Sequence, residues 1–387
     1  MRAQLADRAR TVKEYYFSQK LASIREMTAK GIDVINMGIG SPDIPPPDEV
    51  VQELMNVSRN EDVHGYQPYL GTGRLRMAMA GWYKRYYDVT LDPESQVLPL
   101  MGSKEGVMHI SMAYLNRGDA VLVPDPGYPA YAAAAGMCGA RCVYYDLDKN
   151  NRWLPDLDSL KKDDLNGVKM MWINYPNMPT GSVASLSDFK NIVDFAKQHN
   201  ILVVNDNPYS FLLNNNKVSL LAADHSLEAV LELNSLSKSH NMAGWRMGML
   251  VGHADYIRDV LKVKSNMDSG MFLPIQEAAV KALNMNGSWY EDLNEIYGRR
   301  QELVLELMSL LGCRPETGRS GMFIWSEIPP DFMNSYGFSD YCLEKYNLFI
   351  TPGLVFGSNG HRYVRTSLCV NDNRIKEAIN RIKTKKI

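Results

Sequence analysis

A chain of 387 residues is too long for one small core and long enough for a large domain plus a smaller one. With 45% hydrophobic and 22% charged residues, its composition is globular and excludes wholesale disorder. A formal net charge of −2 offers no general attraction for nucleic acid or an anionic membrane.

The segment from Met1 to Lys20 is interrupted by Arg2, Asp7, Arg8, Arg10, Lys13 and Glu14, so it does not read as a secretory signal. No run approaches the ~18 to 20 consecutive apolar residues that a membrane-spanning helix needs. Cys138, Cys142, Cys313, Cys342 and Cys369 are odd in number and irregularly spaced, so reduced thiols in a cytoplasmic protein are expected rather than a disulfide framework. The seven histidines show no metal-ligand spacing, and no metal is expected.

The middle of the chain alternates strand-like and helix-like segments, which predicts an α/β layout with a mostly parallel sheet. Buried strands are expected at Ala120 to Pro124, Val168 to Asn174, Ile201 to Asn205 and Met247 to Gly252. Ser187 to His199 has helical spacing of apolar residues, with Ser187 as the expected N-cap. A long helix is predicted from Gly287 to about Leu311. Strand, helix and strand then follow at Gly321 to Glu327, Tyr336 to Tyr346 and Arg362 to Leu368, suggesting a second α+β unit.

Four segments carry candidate chemistry. Asn234 to Gly248 (NSLSKSHNMAGWRMG) reads as a loop in which Ser235, Ser237 and Arg246 suit a phosphate monoester. Lys238 beside them can form an imine with an aldehyde. Alone, a Ser-rich turn with one Lys is usually a solvated loop. Val203 to Tyr209 (VVNDNPY) sets Asp206 just past an apolar strand, where a carboxylate needs a partner or caps the next turn. Met101 to His109 (MGSKEGVMH) opens a helix, and Ser103 and Lys104 there strengthen an anion site at its N-terminus. Asn174 to Gly181 (NYPNMPTG) has the composition of a tight loop. Neither a Walker loop nor a dinucleotide-binding glycine pattern is present.

Taken together and in this order, these segments resemble the class I/II aminotransferases, the fold-type I enzymes that use pyridoxal 5′-phosphate (PLP). The resemblance rests on S-x-S-K ending at Lys238, G-W-R at Gly244 to Arg246, D-x-x-Y at Asp206 to Tyr209, and Y-x-x-x-x-G-x-x-x-L-R from Tyr66 to Arg76. Matching features run from Gly38-Ile-Gly40-Ser-Pro42 to Arg365, and the version here looks closest to the LL-diaminopimelate and general aminotransferase groups.

The resemblance implies a large PLP-binding domain at 48–286 with a mostly parallel seven-stranded sheet between helices. It implies a smaller α+β domain from 1–47 with 287–387. Lys238 is then the Schiff-base lysine and proton shuttle, Asp206 the partner of the pyridine nitrogen, Tyr209 the donor to the ring oxygen, and Tyr128 the stacking aromatic. Ser103, Lys104, Ser235, Ser237 and Arg246 form the phosphate cup. Tyr66, and with it Ser269, is expected to reach the partner subunit's site, which implies a homodimer with shared active sites. Arg365 holds the substrate α-carboxylate, Gly40 brings backbone close to it, and Tyr15 belongs to a covering N-terminal segment.

One position departs from the family: Met178 stands where an asparagine usually precedes Pro-Thr-Gly. The expected activity is transfer of an amino group between an L-amino acid and a 2-oxo acid. A carbon–sulfur β-lyase on the same fold and a non-catalytic PLP-sensing regulator are the alternatives.

Overall fold

The computed structural model describes residues 3–10, 16–162 and 164–385. Its centre is a seven-stranded sheet of β1 (Val97–Leu100), β2 (Ala120–Asp125), β3 (Arg141–Asp146), β4 (Val168–Ile173), β5 (Leu202–Asp206), β6 (Val230–Ser235) and β7 (Gly248–Gly252). The spatial order is β1-β7-β6-β5-β4-β2-β3, and only β7 runs antiparallel to its neighbours. The expected α/β fold and its strands are therefore present.

Successive residues of these strands enter two different cores. Val121, Val123, Met170, Trp172 and Val204 pack on one face, under the helices Ser103–Tyr114 and Ala254–Lys264. Leu122, Met171, Ile173 and Val203 pack on the other, with the helices Gly73–Tyr87 and Leu186–His199. Burial on both faces is why the strands read as unbroken apolar runs.

Two local expectations need correction. The cap of the Leu186–His199 helix is Ser185, not Ser187. Its hydroxyl accepts from the Asp188 N–H at 3.1 Å while the Asp188 carboxylate accepts from the Ser185 N–H at 2.9 Å, a reciprocal capping box that Ser187 cannot make. The segment around Lys238 is not a plain loop either. Leu236–Ser239 forms one helical turn, capped by Ser235, whose hydroxyl accepts from the Ser237 N–H.

Beyond the long helix Ser288–Leu310 lies a four-stranded antiparallel sheet that includes Phe323–Glu327 and Tyr363–Ser367. The short strand Ile35–Asn36 pairs in parallel with Leu348–Phe349, bringing the N-terminal segment beside this sheet. Among the described residues, no helix is long and apolar enough to cross a membrane.

Candidate active site

The sheet's parallel strands end on one side, and the segments leaving them meet there. Ser103 follows β1, Tyr128 follows β2, Asn174 follows β4, Asp206 ends β5 and Ser235 ends β6. All line one cavity of about 530 Å³ together with Lys104, Tyr209, Ser237, Lys238, Arg246, Gly40 and Arg365. A ligand site beyond the carboxyl ends of the strands is the general expectation for an open α/β sheet.

Asp206 is buried. Its Oδ2 accepts from the Tyr131 hydroxyl at 3.0 Å, and its Oδ1 has no hydrogen-bond partner among the described residues. Burial raises its carboxyl from the ordinary 3.8 to about 6, against the opposing pull of Tyr131 and Ser103. Its backbone is held as well, because the Asn174 amide donates to the Asp206 carbonyl at 2.5 Å.

Both chain neighbours of Asp206 are tied to a second buried carboxylate, Glu232. Asn205 and Asn207 donate to it at 2.9 and 3.3 Å, joined by Tyr83, Ser219 and the Leu220 N–H, each at 2.9 Å.

At another wall, Ser103 opens its helix while the Ser235 hydroxyl donates to Ser237 at 2.8 Å. Gly102 has φ 84°, and a Cβ there would lie 2.1 Å from Arg246 Nη2. Only glycine lets the guanidinium approach this turn. Helix N–H groups, hydroxyls and an arginine fork make a site for a phosphate dianion.

The Lys238 Nζ donates to the Gly40 carbonyl at 2.5 Å. Burial lowers its pKa, and Arg365 and Arg246 push the same way. Arg365 is buried on the strand Tyr363–Ser367. Its guanidinium carbon lies 4.0 Å from the Phe323 ring centroid and 4.7 Å from that of Phe356. Nη2 donates to the Gly38 carbonyl at 2.7 Å, and Nη1 sits 3.2 Å from the Met178 sulfur. Gly40 packs so tightly that an added Cβ would meet Phe323 at 2.2 Å.

Two predicted residues lie outside the cavity. Tyr66 is 93% exposed and Ser269 is also at the surface. Their loops touch, since a Cβ on Gly270 would stand 2.4 Å from the Gln67 carbonyl. Tyr15 lies outside the described residues.

Sequence reasoning missed Tyr131, Glu232, Phe323 and Phe356. Tyr131 had a usable signal: it is three residues after Tyr128, on the first turn of the helix Pro129–Met137. Glu105, His109 and Asp268 also converge, with ligand atoms within 4.8 Å of one another. The Lys264 ammonium, 2.8 Å from Asp268, already serves that cluster as its cation.

PLP fits these residues. The unpartnered Asp206 Oδ1 suits a protonated ring nitrogen, the Gly102–Arg246 cradle suits the phosphate, and Lys238 suits the aldehyde.

Comparison with known proteins gives the same answer. The family profile described as aminotransferase class I and II matches residues 32–382. LL-diaminopimelate aminotransferase of Dehalococcoides mccartyi is 39% identical over 98% of both chains, and that of Aquifex aeolicus is 36% identical over 99% of this chain and 100% of its own. Among solved structures, apo-BacF from Bacillus subtilis superposes with a TM-score of 0.95 at 37% identity, covering 99% of this chain and 98% of its own. An aromatic aminotransferase from Pyrococcus horikoshii gives 0.86 at 28% identity, over 94% and 98%.

The chain belongs to the class I and II aminotransferases. It is a PLP-dependent enzyme that moves an amino group between an amino acid and a 2-oxo acid. The relatives are named as transferases, which favours transfer over elimination and over a regulatory role.

Proposed function

We propose that Lys238, Asp206, Tyr209 and Arg365 carry the transfer in one cavity. When bound, PLP supplies a conjugated ring that withdraws electrons from the amino acid's Cα. The Asp206 Oδ1 would accept a hydrogen bond from the protonated ring nitrogen and favour its charged form, Tyr209 would donate to the ring oxygen, and Tyr128 would cover a ring face. Ser103, Lys104, Ser235, Ser237 and Arg246 would hold the phosphate.

The Lys238 Nζ would hold the cofactor's aldehyde, and as a free amine it would take and return the proton at the substrate Cα. Burial supports this role by favouring the neutral amine that can accept a proton. Arg365 fixes the α-carboxylate through its planar fork, with the Gly40 backbone close by.

The convergence of Lys238, Asp206, Arg246 and Arg365 on one cavity carries this reading. The PLP-loaded protein should lose its visible band on mixing with an L-amino acid, release the matching 2-oxo acid, and recover when a 2-oxo acid is added. Ammonia released without an acceptor would favour the lyase.

We further propose a cytoplasmic homodimer with shared sites. Tyr66, Tyr69, Met267 and Phe272 are exposed apolar side chains, Phe272 stacks on His64, and the loop of Ser269 packs against that of Tyr66. Such a patch is unusual on a monomer's surface. Sedimentation at the monomer mass would overturn it. The unit boundaries 48–286 and 1–47 with 287–387 are supported by the packing of the Asp48–Val57 helix on Leu273–Leu283, and of the Ser288–Leu310 helix on Asp372–Lys385.

A further inference from the structure

We infer that Glu232 is a positioning residue of the cofactor site: a buried anion behind Asp206 that favours the protonated form of the ring nitrogen without touching it. This rests on the role proposed above for Asp206.

Glu232 lies on β6, fully buried and in register with Asn205 of β5. Its Oε2 accepts from the Asn205 amide and the Leu220 N–H, and its Oε1 from the Tyr83 and Ser219 hydroxyls, each at 2.9 Å, and from the Asn207 amide at 3.3 Å. The Asn205 amide is held in this orientation because its Oδ1 accepts from the Tyr175 N–H at 3.0 Å. All of these donors are neutral, and so many hydrogen bonds on two oxygens favour a carboxylate over a carboxylic acid. Burial pushes the Glu232 carboxyl up, while Asn205, Leu220, Ser219 and Tyr83 pull it down.

The same bonds reach the floor of the cofactor site. Asn205 and Asn207 turn to Glu232 while Asp206, between them, lines the cavity, as alternation along an extended chain requires. The Tyr83 hydroxyl that serves Glu232 also accepts from the Asn234 amide at 3.4 Å, one residue before Ser235.

For stability alone, a buried carboxylate with neutral donors is a poor choice beside an apolar residue. Its charge has a use one strand away. At Asp206, burial dominates the upward push on the carboxyl, and the Glu232 charge adds to it. Two neighbouring anions repel each other and are relieved by one cation between or beside them. A protonated ring nitrogen at Asp206 is that cation, and both carboxylates favour it.

The test reads binding rather than turnover. Cofactor-free protein is titrated at about pH 8, where Asp206 is ionised, with PLP and with the analogue that carries C–H in place of the ring nitrogen. The ratio of the two affinities isolates the contribution of the nitrogen. Glu232→Gln should lower this preference for PLP about fivefold or more. An equal loss of affinity for both compounds marks a purely structural residue and overturns the inference. Glu232→Asp keeps the charge while displacing it from its donors, and it serves where the glutamine variant does not fold. Its preference should stay within about twofold of the unaltered protein's, and a larger fall overturns the inference. Failure in the variants alone leaves the role of Asp206 standing. Equal affinities in the unaltered protein would remove that role, and the inference with it.

Discussion

At the Asp206 end of the cavity, polar groups are held by hydrogen bonds gathered around two adjacent strands of one sheet, with further donors from flanking helices and loops. At the Arg365 end, one guanidinium is held by two aromatic faces, a carbonyl and a thioether drawn from segments far apart in sequence. Asp206 is flanked by Asn205 and Asn207, both bound to Glu232 on the adjacent strand, and its carbonyl is tied to Asn174. Arg365 depends on Gly38, Met178, Phe323 and Phe356, no two of which share an element. A buried and almost fully satisfied polar network is rigid and suits a group that stays bound. An aromatic clamp assembled from separate segments suits a carboxylate that must arrive and leave.

The largest effect should come from the residue between the two ends. Lys238→Ala should abolish the cofactor's lysine-bound visible band and slow transfer by roughly 10⁴-fold or more, checked by absorbance and product assay. The comparison is sharpened by Arg365→Ala, which should raise KM for the amino acid by about 10- to 100-fold while leaving the cofactor band in place. Loss of PLP from that variant would mean the two ends are not separable.

The Asp206 end has its own pH signature. With a folded-state pKa of about 6, raised from 3.8 by burial, Asp206 favours the cofactor-free fold below pH ~4, and that contribution is lost as pH rises through 6. A ring-nitrogen partner needs the carboxylate ionised, so PLP affinity of the cofactor-free protein should strengthen by about fivefold between pH 5 and 6. Titration of Asp206→Asn should show a flatter dependence; an identical slope would remove Asp206 from the linkage.

The smallest expected change is at the junction of the two regions. Met178→Asn restores a donor near the ring oxygen and should lower the pH midpoint of the lysine-bound cofactor band by about one unit. An unchanged midpoint would show that Met178 does not reach the ring.

How much of this was legible in the sequence followed the same divide. Asp206, Ser235 and Ser103 sit at strand ends, where an apolar run gives way to polar and small residues within a few positions. Lys238 and Arg246 lie in the segment that follows. Local pattern marked these segments as candidates, the resemblance of their order to a known family assigned their roles, and local pattern alone located four of the seven strands. Glu232 was not visible because its donors come from the helix residue Tyr83, the strand residue Asn205 and the loop residues Asn207 and Ser219, brought together only by the tertiary fold. Phe323 and Phe356 were invisible for a related reason. Phe323 lies on the strand paired with that of Arg365, in the register Trp325↔Arg365, and strand pairing cannot be counted along the chain. The Ser185 cap was a finer miss: the acidic residue three positions on distinguishes it from Ser187, and that spacing was there to be read.

The parallel pairing of Ile35–Asn36 with Leu348–Phe349 has a consequence for how the molecule is made. At ~5 to 20 residues per second, roughly 15 to 60 seconds of synthesis separate the two strands as they leave the ribosome. The whole seven-stranded sheet, with Asp206 and Lys238, is translated within that interval. Gly38 and Gly40 have no strand to hold them until it closes, and Arg365 does not yet exist. The nascent chain therefore passes through a stage that has its cofactor cradle but no amino-acid pocket, and it acquires a substrate only when its two ends meet.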